Sequence, residues 1–309
     1  MTARVWGDFH ALAEALQPGW EGEILERVSM RSYTSFRIGG LCELMVFPKN
    51  VQELLTVIGR CQEQKLPWRV MGAGTNLLVL DGGVEEVLVN LSKSFRQMRL
   101  SQDGQATAEA GLRLARLVKT CQVWGFSGLE FAAGIPGTVG GALVMNAGAM
   151  GADMAGVVEQ AKGLLPEAGP FRWSQKQLKF SYRHLKRPDH AIFTEVSFVL
   201  QRRDPKKIRA KILQGLQERR QRQPLQFPSA GSVFKNPPGH YAGQLIEAAG
   251  LKGLRLGDAQ VSGKHANFIV NRGRARSREV LALIEKIQQR VREHSGIKLE
   301  LEIEVIGKE

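Results

Sequence analysis

"FAAGIPGTVGGALVMNAGAMGA", residues 131–152, carries no charged side chain and places glycine at 134, 137, 140, 141, 148 and 151. Its uncharged length approaches that of a membrane span, but Pro136 and so many glycines among small side chains argue against a transmembrane helix. A tract of this make-up builds little core from its own side chains, and glycine loses more conformational freedom on ordering than any other residue. Something outside the tract must offset that loss. Close approach of the backbone to a large flat or diphosphate-bearing ligand does so, because only Gly and Ala leave room for it. A tightly packed, turn-rich corner is the plain alternative. A second glycine loop lies in "VMGAGTNLLV", residues 70–79, after a strand-like run. Its Gly72-x-Gly74 suggests a Rossmann turn, and the suggestion fails twice: Leu77 stands where the third glycine belongs, and the run after the loop reads as strand, not helix. Successive amides at 72–74 can still form a nest facing a phosphate, with Thr75 and Asn76 as side-chain donors.

Working outward from the two loops, the chain divides into three regions: 1–92, 93–203 and 204–309. In the first, "NVQELLTVIGRCQEQKLP" predicts a helix with Asn50 as N-cap, Glu53 three positions on, an apolar stripe of Val51, Leu54, Leu55 and Ile58, and Pro67 as its stop. "WRVMGAGTNLLVLDGGVEEVLVNL" then alternates apolar runs with glycine turns, as strands do. The second region holds a helix from Leu112 to Trp124, the long glycine tract and several strands, closing on "AIFTEVSFVLQ". The third opens on a helix capped by Asp204 with Pro205 in its first position. It contains a second helix, "SREVLALIEKIQQRVREHSG", and ends on "IKLELEIEV". Strict alternation there predicts one strand, with Ile297, Leu299, Leu301, Ile303 and Val305 on one face and Lys298, Glu300, Glu302 and Glu304 on the other. No repeat of 20 to 50 residues and no low-complexity linker is present.

Composition narrows the function classes. The 309 residues carry 43 Lys plus Arg against 30 Asp plus Glu, a formal charge of +13. Such a balance calls for an acidic partner, either nucleic acid or phosphorylated small molecules. The densest basic run, "ERRQRQ" from Glu218 to Gln223, falls at the end of a predicted helix, where cations suit the macrodipole and are solvated. No aromatic residues interleave with it, so a stacking platform for single strands is not indicated. Cys42, Cys61 and Cys121 are far apart and odd in number, which argues against a disulfide framework and a zinc cluster and for buried small hydrophobes. The N-terminal "MTARVWGDFHALAEALQPGW" lacks the apolar core of a secretory signal, so the expected location is the cytoplasm.

One serine needs a role. "SAGSVFKNP", residues 229–237, puts Ser232 directly after a glycine, without the G-x-S-x-G elbow of an activated hydrolase nucleophile. It can donate a proton, hold an anion or close a turn. Taken with "YTSFRIGG" at 33–40, "RVMGAGTNLLV", "AGIPGTVGGALVMNAGA", the Tyr182-Arg183 pair, and "GDAQVSGKHANFIVN", it makes the chain resemble the UDP-N-acetylenolpyruvoylglucosamine reductases (MurB) of peptidoglycan synthesis, in their shorter, second type. The likeness runs through "EVIG" at 304–307.

The resemblance implies an α+β flavoprotein. Two subdomains, 1–92 and 93–203, would cradle non-covalent FAD in a fold of the vanillyl-alcohol-oxidase/PCMH type, and 204–309 would be a smaller α+β substrate-binding domain. The implied reaction takes hydride from NADPH onto FAD and passes it to the enolpyruvyl ether of UDP-N-acetylglucosamine, giving UDP-N-acetylmuramate. Hydride arriving at the methylene carbon leaves carbanion character beside a carboxylate, so an enolate must be stabilised and one proton delivered. Ser232 matches the proton donor, Arg183 the arginine supporting the enolate and Glu302, five residues before Gly307, the third catalytic residue. Cofactor contacts are expected from Gly72, Ala73, Gly74, Thr75, Asn76, Leu77, Gly134, Ile135, Pro136, Gly137, Gly140, Gly141, Asn146, Gly148 and Ala149. Substrate contacts are expected from Tyr182, Lys235, Asn236, Gln260, Lys264, His265 and Asn267. No metal, nucleic acid or membrane is expected to bind, and the chain is expected to act as a monomer. The sequence departs from the family pattern at Leu185, where serine is frequent, and at Ile303 and Glu304, where valine and a basic residue are frequent. Two other readings are weighed: an oxidase with covalently attached FAD, which would need a His or Cys that neither glycine loop contains, and a basic nucleic-acid-binding module.

Overall fold

The computed structural model describes residues 2–309, with side chains described from residue 8 onward. A four-stranded sheet runs in the order Glu23–Ser29, Leu41–Phe47, Val84–Asn90, Trp68–Met71, the last two strands pairing in parallel from Trp68 against Val87 to Met71 against Asn90. By compactness the chain forms two units, one of residues 1–26, 44–73 and 86–219, the other of 27–43, 74–85 and 220–309.

The first unit carries helices α1 (Thr2–Leu16), α2 (Val51–Glu63), α3 (Leu114–Val123), α4 (Val139–Val144) and α5 (Pro205–Arg222). Its main sheet is antiparallel throughout, ordered Gly169–Ser174, Val158–Leu165, Ile192–Val199, Gln105–Glu109, Met98–Leu100. The start of α2 is where the sequence puts it, since the Asn50 side chain accepts the Glu53 amide at 2.9 Å. The predicted stripe is rotated, however: Val51 and Leu55 are exposed, and the buried face is Leu54, Val57, Ile58 and Cys61. These positions lie at i, i+3, i+4 and i+7 and meet the core together, whereas Val51 is left one turn too early to reach it. At the start of α5, Asp204 accepts the Lys206 amide at 2.8 Å.

The glycine tract is not loop throughout. Thr138 accepts the Gly141 amide at 3.3 Å and starts α4, whose Val139, Ala142 and Leu143 enter the core of this unit. The expectation that the tract contributes little core therefore fails for α4 and for Phe131, Ala132 and Ala133, which are buried in the same core.

The second unit carries α6 (Ala242–Ala248) and α7 (Ser277–Ser295), a three-stranded antiparallel ribbon ordered Arg255–Leu256, Ala259–Val261, Ile269–Asn271, and a parallel pair of Leu77–Val79 with Glu304–Ile306. Val280, Leu283, Ile284, Ile287 and Val291 line the buried face of α7, each contributing roughly 1.5–3 kcal/mol by leaving water. Gly296, at φ 72°, ends the helix in the left-handed turn that glycine adopts without strain.

The last predicted strand is broken. Only Glu304–Ile306 is strand, Leu301 makes an isolated bridge with Phe234, and the chain bends at Ile303 between the two. Two competing partners cause the break, because Glu302 and Ile303 direct their amides to the Val233 carbonyl while the next residues pair with Leu77–Val79.

All three cysteines are free and buried, and burial pushes the Cys61 and Cys121 thiols up to about 12. Among the described residues no helix is long and apolar enough to cross a membrane.

Candidate active site

In the first unit the two glycine loops touch. A Cβ on Gly72 would come within 2.4 Å of the Thr138 hydroxyl, and one on Gly140 within 2.9 Å of the Ala110 Cβ. Packing of the chain on itself therefore accounts for these two glycines. It does not account for Pro136 and Gly141, which are exposed, whereas Gly134 takes φ 78° and lies against Leu216 and Arg219. A Cβ on Gly141 would meet only the Thr138 hydroxyl, at 3.5 Å. The amides of Ala73, Gly74, Gly134 and Gly137 donate to no acceptor among the described residues. Unpaired amides on an uncharged backbone suit a flat or anionic ligand.

The YR pair forms the two-residue tip of a hairpin between Lys179–Ser181 and His184–Lys186. Arg183 takes φ 55°, a left-handed conformation that costs a non-glycine residue roughly 1–2 kcal/mol. The hairpin is tied to the glycine tract. Asn146 donates to the Ser181 carbonyl at 3.0 Å and to Asp153 at 3.1 Å, and accepts the Ala155 amide at 3.0 Å. A Cβ on Gly148 would lie 3.0 Å from an Arg183 guanidinium nitrogen, and the Arg183 Cζ is 5.1 Å from the Tyr182 ring. The structure thus brings Arg183, Tyr182, Asn146 and Gly148 together. The buried Asn146 amide is occupied in holding the hairpin. Leu185, where the family favours serine, is buried in the core.

In the second unit, Gly231 at φ 82° turns the chain into Ser232. The Glu302 amide donates to the Val233 carbonyl at 2.8 Å, so the segments carrying Ser232 and Glu302 lie side by side. Half-burial separates Glu302 from Glu300 and Glu304, which are exposed as the solvated-face reading expects. The Asn76 side chain donates to the Glu302 carbonyl at 3.0 Å, so this residue of the predicted cofactor loop bears directly on the glutamate. The Ser232 hydroxyl has no hydrogen-bond partner, and so no base to claim its proton, among the described residues.

The remaining predicted substrate residues separate into two groups. Lys235 Nζ lies 3.6 Å from Glu300, and the Asn236 carbonyl oxygen of its side chain accepts the Ala242 amide at 3.0 Å, next to the serine segment. By contrast, Gln260 donates to the Gly253 carbonyl at 3.0 Å and Lys264 to the Arg220 carbonyl, internal tasks both. The buried Asn267 clamps Phe234, accepting its amide at 2.9 Å and donating to its carbonyl at 2.8 Å. His265 accepts the Asn267 amide on Nδ1 at 3.2 Å, which puts the ring proton on Nε2, and burial holds its pKa below the usual histidine range.

Two side chains at these loops were passed over by the sequence reading. Ser35 donates to the Ser229 carbonyl at 2.7 Å and to the Thr75 carbonyl at 3.4 Å, linking the nest loop to the serine loop. Its motif, "YTSFRIGG", was the available signal. Arg219 lies against Gly134, and nothing in the basic run containing it marks it out.

Comparison with known proteins places these features in a family. A model for the C-terminal domain of UDP-N-acetylenolpyruvoylglucosamine reductase matches residues 223–306, and one for an FAD binding domain matches 42–165. The chain is 41% identical to the UDP-N-acetylenolpyruvoylglucosamine reductase of Moorella thermoacetica over 97% of its own length and 99% of that protein. It is 40% identical to that of Bacillus pumilus over 93% of its length and 95% of that protein. Its structure is similar to the crystal structure of UDP-N-acetylenolpyruvylglucosamine reductase (MurB) from Thermus caldophilus, with a TM-score of 0.81 and 37% identity, covering 93% of this chain and 100% of that one.

Proposed function

The chain belongs to the UDP-N-acetylenolpyruvoylglucosamine reductase family, and from that premise we propose that it reduces the enolpyruvyl ether of UDP-N-acetylglucosamine to UDP-N-acetylmuramate, an FAD-dependent step of peptidoglycan synthesis with NADPH as reductant. One juxtaposition carries the reading to the level of mechanism: a serine with no base beside it among the described residues and a half-buried glutamate, joined through the Val233 carbonyl at 2.8 Å.

Bound FAD supplies the redox chemistry, accepting hydride from the nicotinamide and delivering it to the methylene carbon of the substrate. The exposed Gly134 and Gly141 and the unpaired amides of Ala73, Gly74, Gly134 and Gly137 would fit such a dinucleotide. Ser232 gives its proton to the carbon next to the carboxylate, and the electron pair of the former double bond closes that C–H bond. An enolate carbon is basic enough to take a hydroxyl proton held within about 3 Å. The Arg183 guanidinium, a planar fork, matches the carboxylate and the enolate oxygen on which charge develops. Glu302 polarises the enolate side and supports return of a proton to Ser232. NADPH and one proton enter, and NADP+ and the saturated ether leave. Lys235 and Asn236 suit the diphosphate, with Tyr182 on the sugar nucleotide. We take the chain to act as a monomer, as expected from the resemblance. Nucleotide substrates and free cysteines support a cytoplasmic location. The three-part division at 92 and 203 remains the organisation we favour.

Purified protein should be yellow with a flavin absorption band. Ser232→Ala should bleach normally with NADPH, while its reoxidation by the enolpyruvyl substrate slows by about 10²–10⁴-fold, the range of a general acid. Full turnover in that variant would remove Ser232 from its role, and a colourless wild-type protein would remove the flavin reading itself.

A further inference from the structure

We infer that Arg219 is a cofactor ligand, its guanidinium pairing with negative charge on FAD bound along the glycine tract. The inference rests on the flavin reading above and adds a residue that lies outside both glycine loops.

The geometry comes first. Arg219 stands in the last turn of α5, yet its side chain does not run out into water. It lies along Gly134, where a Cβ would come within 3.1 Å of the arginine Cδ, 3.2 Å of its Nε and 2.9 Å of a Leu216 methyl. Gly134 is itself at φ 78°, so both its conformation and the space beside it exclude a side chain. The guanidinium is held against the exposed Gly134, whose amide donates to no acceptor among the described residues.

The electrostatics leave that position unbalanced. Arg219 forms no ion pair or hydrogen bond among the described residues. Residues 131–152 offer no carboxylate, and the neighbouring Glu218 is engaged by Gln214 at 3.2 Å. Burial without a partner lowers the Arg219 pKa from the usual arginine value. The group nevertheless stays charged, because no attainable burial neutralises a guanidinium at neutral pH. A half-buried cation without a counter-ion is costly to a fold, and the cost is relieved when an anion arrives. The basic neighbours Arg220 and Arg222 are exposed, so in this run only Arg219 pairs desolvation with a ligand-facing backbone.

Two anionic parts of the cofactor could meet it: the diphosphate, charged in both redox states, and the isoalloxazine ring, which gains negative charge on two-electron reduction. One set of measurements on holoenzyme separates them. Wild type, Arg219→Gln and Arg219→Lys are compared for FAD dissociation in the oxidised and reduced states and for the flavin midpoint potential. Loss of a charge-assisted contact should weaken FAD binding at least about tenfold in Arg219→Gln, with Arg219→Lys between it and wild type. Equal loss in both states with an unshifted potential identifies the diphosphate. Loss confined to the reduced state identifies the ring, and each tenfold lowers the two-electron potential by about 30 mV. If Arg219→Gln fails to fold, Arg219→Lys, which keeps charge and stem but not the fork, carries the test by the same readouts. Unchanged affinity in both states with an unchanged potential, in any folded variant, overturns the inference. Absence of flavin from wild type instead overturns the reading on which it rests.

Discussion

Glu302 differs from Glu300 and Glu304 by its surroundings, not by its chemistry. The bend at Ile303 draws it half out of solvent, onto the segment beside Ser232, while its two neighbours stay exposed. On the proposed mechanism, a carboxylate so placed acts on charge that develops only when hydride reaches the substrate. Glu302→Gln should therefore slow reoxidation by the enolpyruvyl substrate by about 10²-fold, while flavin reduction by NADPH moves by no more than a few-fold. Stopped-flow measurement of the two half-reactions checks this, and equal loss in both would point to a damaged fold. In the sequence, the three glutamates alternate along one apparent strand and are indistinguishable by pattern; the selection of Glu302 came from family spacing. Ser232 and Arg183 were proposed in the same way, as members of motifs. Arg219 was not, because lack of a partner is a tertiary property and the run "ERRQRQ" reads as a solvated helix end.

At the level of elements, the serine segment is held from two sides, and Asn267 is one of them. Its side chain satisfies both the amide and the carbonyl of Phe234, and its own carbonyl accepts the Val233 amide at 2.8 Å. From the other side come the Glu302 amide and, through the Lys235 amide, the Glu300 carbonyl at 2.9 Å. Asn267 was expected at the substrate; its committed amide makes it a positioning residue for Ser232. Asn267→Leu leaves two buried backbone groups unpaired and should destabilise the protein by about 2–4 kcal/mol, seen as a lower unfolding temperature. Asn267→Asp is the sharper test, because it keeps the acceptor for the Phe234 amide and sets a carboxylate oxygen against the Phe234 carbonyl. Its kcat relative to wild type should recover as pH falls and the carboxyl protonates into a donor, with KM little changed. A flat ratio across pH would exclude the positioning role. Elements with local signals were legible: the caps at Asn50 and Asp204 and the extent of α7. The end of the chain misled, because alternation from Ile297 to Val305 fits one strand, whereas Phe234 and Leu77–Val79 compete for it and divide it.

For the whole molecule, the charge of +13 must be reconciled with a substrate and a reductant that are both anionic. Part of the basic excess is already engaged in ion pairs, such as Arg69 with Glu86 at 2.8 Å, Lys162 with Glu195 at 2.6 Å and Lys252 with Glu247 at 2.7 Å. The remainder is spread along the chain, and its densest run, Glu218 to Gln223, has no interleaved aromatics, which suits small phosphorylated ligands better than a nucleic-acid strand. A field of that kind raises the encounter rate and the local concentration of anions without altering the chemical step. Raising monovalent salt from about 10 mM to about 0.3 M shortens the screening length from roughly 30 Å to below 8 Å. Over that range kcat/KM for the UDP-sugar should fall severalfold through a rise in KM, while kcat stays nearly constant. Steady-state kinetics across the salt series decides the matter. A kcat/KM that ignores salt would mean that the excess charge serves solubility alone, and tight, steeply salt-dependent binding to oligonucleotides would return the nucleic-acid reading.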